Sequence, residues 1–212
     1  MTNQSVYLGQ RPLDLLLIGG SAGVLDVLRL ILPSLPLSLS VPVVIVVHLP
    51  ERSPELLPRV FQSATRLPMR FAEDKEPLVG GTIYFAPAGY HLLLESDRSC
   101  ALSIDPPVWF SRPSIDVLFE SAAAAYAGRV LAMLLTGASA DGASGLHSIH
   151  AAGGITVVQT PQSAEAATMP AAALARFTPD FILPAIDIAT LAASLSPQPR
   201  PVAVASDRSR NP

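Results

Sequence analysis

Almost continuously apolar runs alternate with amphipathic segments along most of this chain. The runs at 13–18, 41–47 and 130–136 (LDLLLI, VPVVIVV and VLAMLLT) are typical of strands buried on both faces of a parallel sheet. The segments Val24–Leu32 and Ser114–Tyr126 have helical character, and Pro113 introduces the second of them. This alternation predicts an α/β fold, a doubly wound and mostly parallel sheet in a Rossmann-like three-layer arrangement.

A β-hairpin is predicted in addition to this sheet. Thr82–Ala86 and Tyr90–Glu95, joined near Ala88 and Gly89, have strand character, and Ala101–Ile104 is expected to add a third strand to them. Residues 13–195 are expected to form one domain. Residues 1–12 then form an N-terminal extension, and residues 196–212, rich in proline and poor in apolar side chains, are expected to form a disordered tail.

The turn after the first run has the pattern G-x-S-x-G, formed by Gly19, Ser21 and Gly23. A strand that turns sharply into a helix exposes a serine hydroxyl above the sheet edge and directs amides at the start of the helix toward a developing oxyanion. The pattern therefore indicates a nucleophilic serine. Glycine-rich turns of this kind also bind phosphate groups or only reverse the chain, and both alternatives stay open at this point.

Two further residues are expected at the same sheet edge. His48 ends the run at 41–47, and Asp141 follows the run at 130–136. Because parallel strands end at one edge, His48 can act as the base for Ser21 and Asp141 can orient its ring. The competing roles are a capping histidine and an aspartate that caps a helix or turn. Asp116 is set aside because it begins a later helix.

From Leu13 to Leu195 the chain resembles the catalytic domain of the chemotaxis protein-glutamate methylesterases, the CheB family. The segments that resemble the family are IGGSAG (18–23), VVHLP (46–50), GGTIYFAPAGYHLLLE (80–95), RPSIDVLFESAA (112–123), LLTGASADGASGL (134–146), AAGGITVVQ (151–159) and TMPAAAL (168–174). The resemblance implies that Ser21, His48 and Asp141 form the catalytic triad. It also implies oxyanion contacts from the backbone of the loops that contain Ala22 and Ala138.

The chain departs from the family pattern beside this site. Ala22 and Val24 stand where the family usually has threonine and glycine, and Ala138 stands where it has methionine. Only a dozen residues precede the first strand, so we do not expect control by an attached receiver domain.

Composition narrows the function classes further. A net charge of −3 over 212 residues argues against a nucleic-acid partner. Cys100 is the single cysteine, which favours a cytoplasmic protein without disulfides. The uncharged stretch 30–47 is interrupted by prolines, so membrane insertion is not expected. His147 and His150 lack a third ligand at metal-site spacing, and no metal is expected.

The resemblance implies hydrolysis of glutamate methyl esters on chemoreceptor helices, with glutamine deamidation as a related activity and no cofactor. One alternative is a catalytically weakened binding or scaffold descendant of the family. A dinucleotide-binding protein is another, although Ser21 and His48 stand where glycine and an acidic residue are expected.

Two features near the site are left open. Arg112 either contacts substrate or forms a salt link with Asp116, and Trp109 and Phe110 either line a substrate groove or pack under a loop.

Overall fold

The computed structural model describes residues 11–48 and 57–195, which form nine strands and six α-helices. Strands β1 to β9 span Leu15–Gly20, Val43–Val47, Met69–Phe71, Ile83–Phe85, His91–Leu94, Cys100–Ser103, Val130–Leu134, Ile155–Gln159 and Phe181–Leu183. Helices α1 to α6 span Val24–Ser34, Leu57–Phe61, Ile115–Tyr126, Ala143–Ala151, Thr168–Arg176 and Ala185–Ala193.

Seven strands form one sheet in the order β3-β4-β2-β1-β7-β8-β9, and every neighbouring pair is parallel. The central strands β1, β2 and β7 are buried at every position, which explains why their sequences are almost continuously apolar. The predicted doubly wound parallel sheet is therefore confirmed.

Two helix layers cover the sheet, because side chains alternate between its faces. Leu16 and Ile18 of β1 pack in the cluster that contains α1, α2 and α6. Leu15 and Leu17 pack in the opposite cluster, which contains α3, α4 and α5. The result is a three-layer architecture with β1 as the middle strand of the sheet.

The added hairpin is present, but its strands differ from those expected. β5 and β6 pair in antiparallel fashion, with His91 opposite Ser103. The predicted pairing of Thr82–Ala86 with Tyr90–Glu95 is wrong because β4 lies inside the parallel sheet between β2 and β3. Both hydrogen-bonding edges of β4 are therefore already occupied.

Two predicted segments lie wholly or mostly outside the described residues. These are the N-terminal extension, of which only residues 11 and 12 are described, and the tail at 196–212. Within the described ranges, no helix combines the length and the apolar character that crossing a bilayer requires.

Helix α3 lies unusually close to β1 at Gly19. A Cβ atom at this position would lie 2.4 Å from Cγ2 of Ile115 and 3.2 Å from the ring of Phe119. The glycine therefore allows the first turn of α3 to lie directly against the central strand. This contact matters for the site because Ile115 begins α3.

We expect Gly19→Ala to lower the free energy of unfolding by about 2 kcal/mol, because the new methyl group overpacks the contact with Ile115. Urea unfolding of the purified protein measures the change. Ile115→Ala provides the control: combined with Gly19→Ala it removes the clashing atom, so the double variant should lose less stability than the sum of the single variants. Strict additivity of the two losses would contradict this account.

Candidate active site

The ends of β1, β2 and β7 bring Ser21, His48 and Thr136 together at the carboxyl edge of the sheet. The His48 amide donates to the Gly20 carbonyl at 3.1 Å, and the Ser21 amide donates to the Thr136 carbonyl at 2.9 Å. The first contact continues the parallel register one residue beyond the paired residues of β1 and β2, and the second continues it two residues beyond those of β1 and β7. Ser21 therefore lies between the ends of two neighbouring strands, each about 4.8 Å away.

Thr136 holds the turn that carries Ser21, and sequence reasoning missed this role. Its buried hydroxyl donates to the Ala22 carbonyl at 2.9 Å and accepts from the Ala166 amide at 2.9 Å. Its own amide donates to Oε1 of the buried Gln159 at 2.9 Å. A threonine ending an apolar strand gives no signal in the sequence that its hydroxyl will reach a loop distant along the chain.

The carboxylate of Asp141 is the centre of the site and is fully buried. Its Oδ2 accepts from Nε2 of His48 at 2.8 Å and from the Ile115 amide at 2.7 Å. Its Oδ1 accepts from the Ser114 hydroxyl at 2.8 Å and from the Asp116 amide at 2.9 Å. Four donors, two of them amides at the start of α3, therefore satisfy a charge that has no access to water.

These contacts keep Asp141 ionised. Burial by itself raises the pKa of this carboxyl, but the hydrogen bonds from His48 and from the start of α3 outweigh burial and hold the pKa below its ordinary value. The positive end of the helix dipole acts in the same direction. Because the ionised carboxylate only accepts, the ring nitrogen of His48 that faces it, Nε2, carries a proton, so the neutral form of the ring has its free lone pair on Nδ1.

This tautomer leaves Nδ1 as the nitrogen that can take a proton from Ser21. The assignment of the two ring nitrogens is the reverse of the best-known serine protease triad, in which Nδ1 faces the aspartate. Among the described residues, no hydrogen bond joins the Ser21 hydroxyl to the ring. Such contacts often tighten only when substrate is bound.

Ala22 and Ala138 lie exposed in the loops that follow β1 and β7. Within the described part of the chain, the amides of both residues donate to no protein acceptor, whereas the neighbouring Gly137 amide donates to the Ala166 carbonyl at 3.0 Å. Two unused donors near the serine fit the expected role in binding an oxyanion.

Asp116 also belongs to the site, although the sequence analysis set it aside. Its carboxylate is buried, and it accepts from the Gly145 amide at 2.7 Å and from Nε1 of Trp109 at 3.0 Å. Burial raises the pKa of Asp116, and the nearby negative charge of Asp141 adds to the increase. Asp116 thus joins the start of α3 to α4 and to the loop that contains Trp109.

Arg112 has different partners from those expected. Its Nη1 donates to the carbonyls of Ile104 and Asp105 at 2.7 and 3.0 Å. The alternative salt link to Asp116 is not formed, because the Asp116 carboxylate binds Trp109 and Gly145 instead. A substrate contact of Arg112 stays a prediction.

His147 and His150 pack beside the Phe177 ring, with centroid distances of 5.4 and 5.0 Å. No group of three metal-binding side chains occurs within residues 11–48 and 57–195.

Residues 16–192 match the family model of the CheB methylesterases. The chain belongs to the CheB methylesterase family. The match lies inside the predicted domain at 13–195, whose limits themselves stay a prediction. The catalytic domain of the Thermotoga maritima CheB methylesterase has the same fold, with a TM-score of 0.81 and 28% identity over 86% of this chain and 98% of that chain.

Relatives of known name extend the comparison. A Leptospira interrogans protein is 42% identical over 178 residues, which cover 84% of this chain and 92% of that protein. A Methanospirillum hungatei protein-glutamate methylesterase/protein-glutamine glutaminase is 37% identical over 186 residues, which cover 88% of this chain. The match spans 53% of the Methanospirillum protein, so this chain corresponds to about half of that longer relative.

We expect Asp141→Asn to lower ester turnover by about three to four orders of magnitude, since the tautomer of His48 is no longer set. The NH2 group of the asparagine must also face two of the four donors, because each carboxylate oxygen accepts from two of them, and this lowers the free energy of unfolding by about 2 kcal/mol. Hydrolysis of 4-nitrophenyl acetate and urea unfolding measure the two effects. Asp26→Asn, on the exposed first turn of α1, is the control and should leave both unchanged.

The stability effect has a defined pH dependence. Because the folded pKa of Asp141 is lowered, its contribution is complete above the unfolded value of about 4 and is lost as the pH falls below it. The stability difference between the unaltered protein and Asp141→Asn should therefore narrow below about pH 4. A difference that stays constant down to about pH 2 would contradict the assignment.

We expect Thr136→Val to lower kcat for ester hydrolysis by roughly ten- to a hundredfold with little change in KM, because the Ser21 turn loses its contact through the Ala22 carbonyl. Thr136→Ser keeps the hydroxyl and should retain most of the activity. Steady-state kinetics of both variants make the test. Equal kcat values for the valine and serine variants would show that the hydroxyl does not position the turn.

Proposed function

We propose that this chain hydrolyses glutamate methyl esters on methylated chemoreceptor helices, with Ser21, His48 and Asp141 as the catalytic triad. The observation that carries the proposal is the 2.8 Å contact between His48 and the buried carboxylate of Asp141, which lies beside the turn that contains Ser21. Membership of the CheB methylesterase family supports the substrate class.

In the first half of the reaction, Nδ1 of His48 removes the proton from Ser21 as its Oγ attacks the ester carbonyl carbon. Asp141 holds the proton on Nε2 and stabilises the imidazolium. The carbonyl oxygen becomes an oxyanion, which the amides of Ala22 and Ala138 bind, each worth roughly 3 kcal/mol. The intermediate then expels methanol, which takes the proton from His48, and an acyl-enzyme ester remains on Ser21.

In the second half, His48 removes a proton from water as the water attacks the acyl-enzyme. The C–O bond to Ser21 breaks, the serine regains its proton from His48, and the glutamate carboxylic acid is released. With a glutamine side chain the same steps release ammonia instead of methanol. Every proton transfer uses groups of the chain itself, so we propose no cofactor.

We also propose that the protein acts in the cytoplasm, where chemoreceptor helices present their methylated glutamates. The thiol of Cys100 is buried, and burial raises its pKa to about 12, so it remains a thiol at neutral pH.

A binding or scaffold descendant that has lost catalysis is the alternative function. Replacement of the family-typical side chains by Ala22 and Ala138 is what favours it. Within residues 11–48 and 57–195 their backbone amides nevertheless donate to no acceptor, and an oxyanion needs the amides rather than the side chains. Covalent labelling with a fluorophosphonate discriminates the two, because only an activated serine reacts.

We expect Ser21→Ala to abolish both fluorophosphonate labelling and methanol release from a methylated chemoreceptor cytoplasmic fragment. The melting temperature should not change, since the Ser21 hydroxyl holds no described contact. Ser34→Ala, at the end of α1, is the matched control and should retain full activity. Undiminished methanol release by Ser21→Ala would refute the mechanism.

A further inference from the structure

The loop that contacts Asp116 ends in a tight turn with two aromatic side chains at its tip. Val108 and Ser111 exchange backbone hydrogen bonds of 3.2 and 2.9 Å across Trp109 and Phe110. Both central residues have positive φ, 50° at Trp109 and 60° at Phe110. This is the backbone of a type I′ turn, and we refer to Val108–Ser111 as the aromatic turn.

Trp and Phe are unfavourable residues for such a turn. Positive φ brings Cβ close to the following carbonyl oxygen, which is why Asn and Gly dominate type I′ turns. Burial does not compensate at Phe110, whose side chain is fully exposed at 102%. A strained backbone that presents an unburied ring contributes nothing evident to folding, so the position indicates a function.

Hydrogen bonds made by side chains hold the aromatic turn in one position. Nε1 of Trp109 donates to Asp116, and Arg112 donates to the carbonyls of Ile104 and Asp105. In the same loop, Nε2 of the buried His91 contacts the Pro106 carbonyl at 3.1 Å. A turn held rigidly in this way presents its aromatic ring at a fixed position, so less conformational entropy is lost when the ring binds a partner.

The turn lies at the rim of the active site. The Asp116 carboxylate binds Trp109, and the Asp116 amide binds Asp141, which holds His48. One residue thus separates the aromatic turn from the catalytic carboxylate. Ile104, in the same loop, is also exposed, as is Tyr90, whose neighbour Gly89 donates to the Arg112 carbonyl.

We propose that the aromatic turn binds the polypeptide that carries the ester, with the Phe110 ring contacting apolar side chains next to the modified glutamate. The inference rests on the proposed function. A glutamate side chain is short, so the backbone and neighbours of the substrate segment must lie across the rim of the site when its ester reaches Ser21. Exposed, rigid aromatic side chains are the residues that most often anchor such protein contacts.

Two substrates distinguish an effect on binding of the polypeptide from an effect on the chemical step at Ser21. A methylated chemoreceptor cytoplasmic fragment reaches the rim, whereas 4-nitrophenyl acetate reaches only Ser21. We expect Phe110→Gly to lower kcat/KM for the fragment by about tenfold or more, mainly through KM, and to change that for the small ester less than about twofold. Glycine accepts positive φ, so the melting temperature should not fall. Phe110→Tyr should keep near-parental activity.

Leu37→Ala is the matched control. Leu37 is exposed at 61% and precedes β2, at the opposite edge of the sheet from Ser21. The Leu37→Ala variant should leave kcat/KM unchanged for both the fragment and the small ester.

A binding measurement gives a result that does not depend on turnover. The affinity of the fragment is measured for the Ser21→Ala protein with and without Phe110→Gly, and Phe110→Gly should lower this affinity by a similar factor of about ten or more.

Each other outcome overturns the inference. Unchanged kcat/KM and affinity for the fragment would show that Phe110 does not touch the substrate. An equal loss for both substrates would show that the turn acts on the catalytic geometry, and a change of oligomeric state in light scattering would show that it binds a second copy. Failure of the proposed function would give a different result. The unaltered protein would then release no methanol from the fragment, and the residue at position 110 would make no difference.

Discussion

The buried carboxylate of Asp141 is the interaction on which the site and much of the fold depend. Removing such a charge from water is costly, and the chain offsets the cost with four donors from two separate segments. These donors belong to His48, at the end of β2, and to the start of α3. The Asp141 carboxylate itself follows β7, so this one group connects the ends of β2 and β7 with the start of α3.

The hydrogen bonds to Asp141 both hold the fold together and set the protonation of the candidate site. The amides that keep Asp141 ionised also fix its position, and the ionised carboxylate selects the tautomer of His48. The close approach of α3 to β1 at Gly19 allows those amides to reach Asp141. A change in the packing of α3 therefore alters the position of Asp141 and, through it, the position of the His48 ring.

The two neighbouring buried carboxylates have opposite pKa shifts for an evident reason. Asp141 receives four donors, including the His48 ring, and its pKa is lowered. Asp116 has a raised pKa, because burial and the charge of Asp141 outweigh its hydrogen bonds. On acidification Asp116 takes up a proton first, which removes a repulsion and leaves Asp141 ionised. Neighbouring carboxyls whose pKa values are shifted in opposite directions are typical of active sites. One group of such a pair stays charged while the other can change its protonation state.

The remaining part of the site depends on backbone register. Ser21 lies between the ends of β2 and β7, and Thr136 ties the Ala22 carbonyl to the loop that contains Ala166. Backbone positions in a buried parallel sheet vary little, so the sheet itself determines the position of Ser21. The amides of Ala22 and Ala138, which donate to no acceptor among the described residues, do not depend on the side chains at those positions.

The sequence by itself determined the central sheet and the order of the residues at its edge. Continuously apolar runs require strands buried on both faces, and parallel strands end together, which places Ser21, His48 and Asp141 at one edge. Only the tertiary structure decided the partner of β5, the place of Asp116 and Thr136 in the site, the contacts of Arg112 and the ring nitrogen that faces Asp141. Each of these depends on contacts between side chains and backbone groups that the fold alone brings together. Local patterns encode burial and periodicity, but they carry no information about which distant donor will satisfy a buried acceptor.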